Sequence, residues 1–351
     1  MAKKVKARAG KRKTPKRSSK VRVALIGAGG MANGVHYPSL ADFDDVTMVA
    51  LCDLVEEKRV QTAERFGIPK HYHNYRQMLD DVACQAVYVL MPPHHLYDIV
   101  IDCLGRKLDV FIEKPPAVTT FQTASMARLA FASKCVTMVG FNRRYAPMLT
   151  DARKAAAKHG TIQQVNATFY KSTSAIYFDG AVDVIGCDVI HAVDALRWLA
   201  GGEVLHVAAA VRRFNDLVPN AWNAVVLFDT GCVGVLQSNW NTGGRIHKFE
   251  VHAPGYSAYV EPQVEMDEVD AKGRRRRSIG DFVSDTDDSK MTFGFYQQAR
   301  AFIDAVKTRR QPGANFADAV KSMMLADAIR RNDVALCPGL DGCISGISAD
   351  L

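Results

Sequence analysis

The chain has 351 residues, 48% of them apolar, and no apolar run long enough to cross a bilayer, so two soluble domains of ordinary size are expected and membrane insertion is not. A net charge of +8 would suggest a nucleic-acid binder if it were spread over the surface, but residues 1 to 20 hold ten Lys and Arg and no acid, which leaves the remainder at −2 (+8 less 10). Eight cysteines at 52, 84, 103, 135, 187, 232, 337 and 343 form no Cys-x-x-Cys pair and no His/Cys cluster at zinc spacing, which fits free thiols in a reducing cytoplasm and no metal site.

Residues 1 to 20 lack any apolar segment that could serve as a signal-peptide core, and charge of this density repels itself. They are expected to be a disordered basic tail that solubilises the chain or meets a nucleic-acid or acidic partner. Val21 to Ile26 then reads as a strand, followed by the turn Gly27-Ala-Gly29-Gly30-Met31-Ala32 and a segment of helical character. Thr47 to Cys52, Ala86 to Leu90, Asp109 to Ile112 and Val136 to Val139 read as four more buried strands. Helices are expected between them at Val55 to Phe66, His95 to Leu104 and Phe121 to Ser133. Alternating βα units of this kind make a parallel sheet.

After Pro147 the rhythm changes. Thr161 to Tyr177, Val204 to Phe214, Ala221 to Phe228, Cys232 to Trp240 and Ile246 to Ala253 alternate as an antiparallel sheet with one covered face. An amphipathic helix from Val184 to Ala200, stopped by Gly201-Gly202, precedes most of these strands, and two more helices follow at Phe293 to Thr308 and Asn315 to Arg330. The run Arg274 to Arg277 lies in a polar stretch with Asp281, Asp285, Asp287 and Asp288. It reads as a solvated loop, with a lid or an oligomer contact as alternatives.

In Gly27-x-Gly29-x-x-Ala32 the first glycine makes the tight turn, the second lets backbone approach a pyrophosphate, and the small third position admits the helix. Asp53, ending the second strand, suits the adenosine ribose hydroxyls and would repel a 2′-phosphate, so NAD is favoured over NADP; the simpler role for Asp53 is to cap the next helix. Lys114 closes the strand Asp109 to Ile112 in Glu113-Lys114-Pro115, where proline restricts the backbone of the residue before it. An ammonium presented there, beside a nicotinamide, can bind or deprotonate a substrate hydroxyl. Asn142, Arg143 and Tyr145 follow the fifth strand, where the carboxyl ends of a parallel sheet put ligand-contacting loops, and an arginine there suits a carboxylate or phosphate. On the Val184 to Ala200 helix, Val189, Val193, Leu196 and Ala200 make an apolar stripe, while Cys187, His191 and Asp194 point broadly the other way with Asp188 beside them. Tyr170, Lys171, Trp240 and Arg245 are weaker candidates for the wall of the same pocket.

The fingerprint, Asp53, Pro92-Pro93, Glu113-Lys114-Pro115 and the helix around His191 occur in an order and spacing that resembles the glucose–fructose oxidoreductase / inositol dehydrogenase / rhizopine catabolism (Gfo/Idh/MocA) family, from about Val21 to Arg330. The resemblance implies an α/β fold: an N-terminal Rossmann domain over residues 21–147, and over 148–351 a C-terminal α/β domain for substrate binding and oligomerisation, built on an open, mostly antiparallel sheet. It also implies a homodimer or homotetramer, and an NAD-dependent oxidoreductase acting on a hydroxyl or keto carbon of a sugar, polyol, cyclitol or derivative. Lys114 and His191 match the family's catalytic lysine and histidine. Gly27, Gly29, Gly30, Met31, Ala32, Asp53, Pro92, Glu113 and Lys114 are the expected cofactor contacts. An imidazole titrating near neutrality suits His191 as general acid/base, Asp188 would orient it or bind a neighbouring hydroxyl, and Asn142, Arg143, Tyr145 and Cys187 would meet substrate. The chain departs from the family at Cys187, where aspartate is usual, at Ala181-Val182-Asp183 in place of a glycine triplet, and at Leu96 where a histidine is frequent. Two alternatives follow: an NAD-recycling glycosidase or lyase acting through a transient keto-sugar, and a non-catalytic cofactor-sensing regulator.

Overall fold

The computed structural model describes residues 20–173 and 183–331; the tail at 1–19, Ala181, Val182, Cys337 and Cys343 lie outside the described residues. Six strands build the first sheet: β1 Val21–Ile26, β2 Val46–Cys52, β3 His71–Tyr72, β4 Ala86–Val89, β5 Asp109–Ile112 and β6 Thr137–Val139. Their order is β3-β2-β1-β4-β5-β6, and every pair is parallel. Because helices cover both faces, the strand cores are continuous buried runs such as Ala86–Val89. The order reverses between β1 and β4, which opens a crevice at the carboxyl ends of those strands.

The connecting helices are α1 Tyr37–Ala41, α2 Glu56–Phe66, α3 Tyr75–Asp81, α4 Pro93–Gly105 and α5 Thr120–Ser133. A π-helical turn, Ala32–His36, leads into α1. Gly67 ends α2 in the left-handed region, and Thr119 with Gln122 forms a capping box at the start of α5. The two-residue β3 and the short α3 are not anticipated above, although Asn74 caps α3 by accepting from Arg76 N at 2.9 Å. Nor is α6, Pro147–His159, whose Met148, Leu149, Ala152 and Ala156 are buried at helical spacing behind an N-terminal proline.

The second sheet comprises β7 Gln164–Ser172, β8 Val204–Arg212, β9 Ala221–Phe228, β10 Val233–Asn239, β11 Asn241–Ala253, β12 Tyr256–Glu261, β13 Glu265–Asp270 and β14 Gly273–Ser278. In the order β14-β13-β12-β11-β7-β10-β9-β8 all neighbours are antiparallel except β7 and β10, which are parallel. The Arg274 to Arg277 run is therefore an edge strand and not a loop. Arg274 and Arg276 pair with Asp267, Arg275 with Glu268, and Arg277 with Asp151 and Glu268, so cross-strand charge complementarity replaces the apolar alternation that marks the other strands.

On the covered face lies α7, Ile190–Ala200, entered through a π-helical turn at Ile185–Val189 and ended by Gly201. Every residue from Ile190 to Arg197 is buried, so this helix is enclosed on all sides and not amphipathic. The short α8 Ser289–Thr292 precedes α9 Phe295–Thr308, which packs on β1 and α1, and α10 Phe316–Arg330, which packs on α5, α7 and β8. These helices bring the two sheets together around the carboxyl ends of β5 and β6. No helix among the described residues is long and apolar enough to cross a membrane.

Candidate active site

A cleft of about 800 Å³ opens at the carboxyl ends of β1, β2 and β4, lined among others by Gly27, Gly29, Asp53, Lys58, His73, Arg76 and Pro92. Gly27 has φ +101°, and a Cβ there would stand 2.3 Å from the Leu90 carbonyl oxygen, so only glycine fits the turn. Gly29 and Gly30 have nothing within 4 Å of such a Cβ, which leaves bare backbone at the rim for a ligand to approach. Asp53 accepts from Ala28 N at 2.7 Å and from Val55 N at 2.8 Å, and thereby ties the two loops together while its half-exposed carboxylate keeps lone pairs toward the cleft. Asp53 thus holds the amide of Val55 just before α2, without capping the helix itself, and a ribose-binding role is compatible with that. This arrangement fits a dinucleotide.

The other expected cofactor residues divide. Met31 is exposed beside the glycines, and Ala32 is buried beneath them. Glu113 is buried, with one oxygen 2.7 Å from His36 Nε2 and the other accepting from Lys114 N at 2.9 Å. Its carboxylate thus fixes the backbone that carries Lys114.

Lys114, at the end of β5, reaches across to the start of α7. Its Nζ donates to the Cys187 carbonyl oxygen at 2.9 Å and lies 3.7 Å from Asp188 Oδ1, while Asp188 Oδ2 accepts from Lys171 Nζ of β7 at 2.5 Å. The Cys187 side chain is itself buried, and the contact it provides is made by main chain. His191 is buried with Nδ1 lacking any partner. Burial first, then the charges of Lys114 and Arg143 and nearby His247 and Lys171, pull His191 well below the usual histidine range. The expectation of an imidazole titrating near neutrality is corrected accordingly: a buried ring ringed by cations stays neutral. Burial, and then Arg245 and Lys114, likewise lower Lys171 against the opposing pull of Asp188.

Asn142, Arg143 and Tyr145 sit on a 3-10 turn, Asn142–Tyr145, directly after β6. Asn142 donates to the Phe293 carbonyl at 2.9 Å. The Arg143 guanidinium lies 4.6 Å from the centre of the Phe293 ring, and its Nη2 is 3.5 Å from His247 Nδ1. Tyr145 lies apart from this group, its phenol pushed up by burial against the pull of Arg144. Asp194 also turns away from His191: it takes Arg144 through both oxygens at 2.7 and 2.5 Å and accepts from Ser322 Oγ at 2.7 Å.

His247, which the sequence pattern does not single out, joins Lys171 and Arg245 at this site. Lys171 and His247 occupy in-facing positions of alternating strands: Lys171 ends the buried series Val165, Ala167, Phe169 on β7, and His247 pairs with Phe169 across β7 and β11, while Arg245 is exposed where β11 loses register with β7. Polar residues interrupting an apolar in-facing series were the available signal. His247 stacks on Phe169 with centroids 3.6 Å apart, and burial with Arg143 and Arg245 pulls it down to about 2. Among the described residues no group of three or more His, Cys, Asp and Glu is placed to hold a metal, and no disulfide joins the described cysteines.

Comparison with known proteins agrees with this architecture. Residues 21–141 match the family described as oxidoreductase family, NAD-binding Rossmann fold (GFO_IDH_MocA), and residues 153–255 match the GFO/IDH/MocA C-terminal domain. The chain is 24% identical over 331 residues to myo-inositol 2-dehydrogenase of Thermotoga maritima, covering 89% of this chain and 96% of that protein. Its fold is similar to the crystal structure of a dehydrogenase from Chromobacterium violaceum, with a TM-score of 0.83 at 19% identity over 90% of this chain and 96% of the other. It is also similar to a levoglucosan dehydrogenase in complex with NADH and levoglucosan, with a TM-score of 0.78 at 21% identity over 90% and 97%.

Proposed function

The chain belongs to the GFO/IDH/MocA family of oxidoreductases, and from that premise we propose an NAD-dependent dehydrogenase that moves a hydride between nicotinamide and a CH–OH carbon of a sugar, polyol, cyclitol or derivative. One observation carries the reading: Lys114, just after β5 of the nucleotide-type sheet, meets Asp188 from the second half of the chain, and its charge acts on the buried His191. Gly27, Gly29, Asp53 and Pro92 would hold the cofactor, which supplies the two-electron acceptor when bound. Asp53 favours NAD, since its carboxylate repels a 2′-phosphate.

In the oxidising direction the carbinol C–H bond breaks with its electron pair leaving as hydride, the O–H proton goes to the protein, and the carbonyl C=O forms. His191, with Nδ1 unpartnered, takes that proton, and the burial and cations that lower its basicity make it a transient carrier of it. Lys114, steered by the Cys187 carbonyl and Asp188, donates a hydrogen bond to the same oxygen and stabilises developing alkoxide. Asp188 sets the positions of Lys114 and Lys171 together. In reduction the proton runs the other way. The cysteines and the family's habit suit a cytoplasmic homodimer or homotetramer.

The test is substrate-dependent NADH formation across sugars, uronates and cyclitols. Full turnover by Lys114→Ala on an identified substrate would refute the mechanism, and product release without net NADH would turn the reading toward an NAD-recycling elimination.

A further inference from the structure

Resting on that hydride-transfer reading, we propose that the substrate is a hydroxy acid of the sugar-acid type, and that Arg143 with Arg245 is the seat of its carboxylate. Arg143 is only 5% exposed, and its Nε and Nη1 are buried with no partner. Its remaining polar contact, Nη2 to His247 Nδ1, is 3.5 Å long. Arg245 arrives from β11 and points its own Nη2 at the same His247 nitrogen, at 3.3 Å. Both guanidiniums also lie on one ring, 4.6 and 5.4 Å from the centroid of Phe293. Two like charges have been brought together over a neutral acceptor, and among the described residues no carboxylate forms an ion pair with either.

The neighbouring charges deepen the deficit. Lys114 and Lys171 complete the cationic group, and the one carboxylate between them, Asp188, directs one oxygen to each. Among the described residues four cations therefore face one acid. Burial and the proximity of Arg245 pull Arg143 down to about 9 against the opposing pull of Asp188. Leaving buried donors unmade is costly, and proteins retain such groups where a ligand completes them. The dinucleotide's pyrophosphate is not that ligand, since neither arginine lines the cleft of Gly27, Gly29 and Asp53. The planar fork of a guanidinium matches a carboxylate in bidentate fashion, and a carboxylate gripped there leaves a hydroxyl of the same small molecule for Lys114 and His191.

Calorimetry on the NAD-bound full chain, with D-glucuronate, D-gluconate, D-glucose and D-glucose 6-phosphate as probes, tests this directly. The acids are expected to bind on the order of 100-fold more tightly than D-glucose, and Arg143→Gln to reduce that ratio to near unity. Arg245→Gln, at an exposed position, is expected to lower the ratio about 10-fold. The proposal falls if the acids bind no better than D-glucose, if the phosphate ester outcompetes them, or if the ratio survives both substitutions. NADH formation is read separately: tight acid binding without any turnover leaves the seat standing and sinks the dehydrogenase reading, while turnover confined to neutral sugars does the reverse.

Discussion

Arg143 and Arg144 are adjacent in sequence and equally enclosed, yet they live in opposite electrostatic regimes. Arg144 meets Asp194 through two bonds, Asp318 through a third at 2.6 Å and the Gly313 carbonyl through a fourth, and Arg197 closes the set on Asp318 and Ser322. Two arginines balance two aspartates, and the network staples the 3-10 turn, α7 and α10 together. Around Arg143, three further cations, two imidazoles and one carboxylate among the described residues leave donors unmade. The lesson is that burial alone does not separate a structural arginine from a functional one; the local sum of charge does.

The largest effect tests whether the unbalanced region is chemical. Lys114→Ala should lower kcat about 1000-fold in an NADH-coupled assay, and a drop under about 10-fold would move the catalytic role elsewhere. Next in size is the direct contrast between the two arginines. Arg144→Met strands the buried Asp194, while Asp318 keeps Arg197, and should cost about 3–5 kcal/mol in urea unfolding, whereas Arg143→Met removes an uncompensated charge and should be neutral or mildly stabilising. Equal losses would erase the distinction drawn here.

Acid sensitivity follows from the imidazoles. His247 binds its proton more weakly folded, at about 2, than an ordinary histidine at about 6.5, so below pH 6.5 the unfolded chain holds the extra proton. Stability should therefore be flat with respect to this group above about pH 7 and fall by about 1.4 kcal/mol per pH unit beneath the unfolded value. His247→Phe, followed by denaturation from pH 7 to 5, should flatten that slope; an unchanged slope would show the ring is not held neutral. The smallest effect concerns Asp53, intermediate between the regimes because backbone amides satisfy it on one side and the cleft is open on the other. Asp53→Ser should shift the NAD:NADP ratio of kcat/KM toward NADP by about 10-fold, helped by Lys58, His73 and Arg76 on the same rim.

The nucleotide half was legible because continuous buried strands, Gly27 and Asp53 each carry a local signal. Motif order suggests that Lys114 and the helix of His191 come together, and the Lys114 contacts with Cys187 and Asp188 are what the fold shows of that. His247 and Arg245 were not legible, since their importance depends on the register that sets His247 opposite Phe169, a relation between β11 and β7 that no local window contains. Asp194 misled for a related reason: a helical wheel groups it with His191, but the partner that claims it, Arg144, comes from a distant turn. The arginine strand β14 escaped because its pairing is ionic, and polarity without apolar alternation reads as loop.

The hold on the Lys114 amine at position 187 comes from main chain, which exempts it from side-chain scanning. Replacing Cys187 by any residue that keeps the local backbone course leaves that oxygen in place, so an inert alanine scan there would say nothing about how the ammonium is aimed. Only a backbone edit, such as an ester in place of the amide after Cys187 that weakens the carbonyl as an acceptor, would expose the dependence.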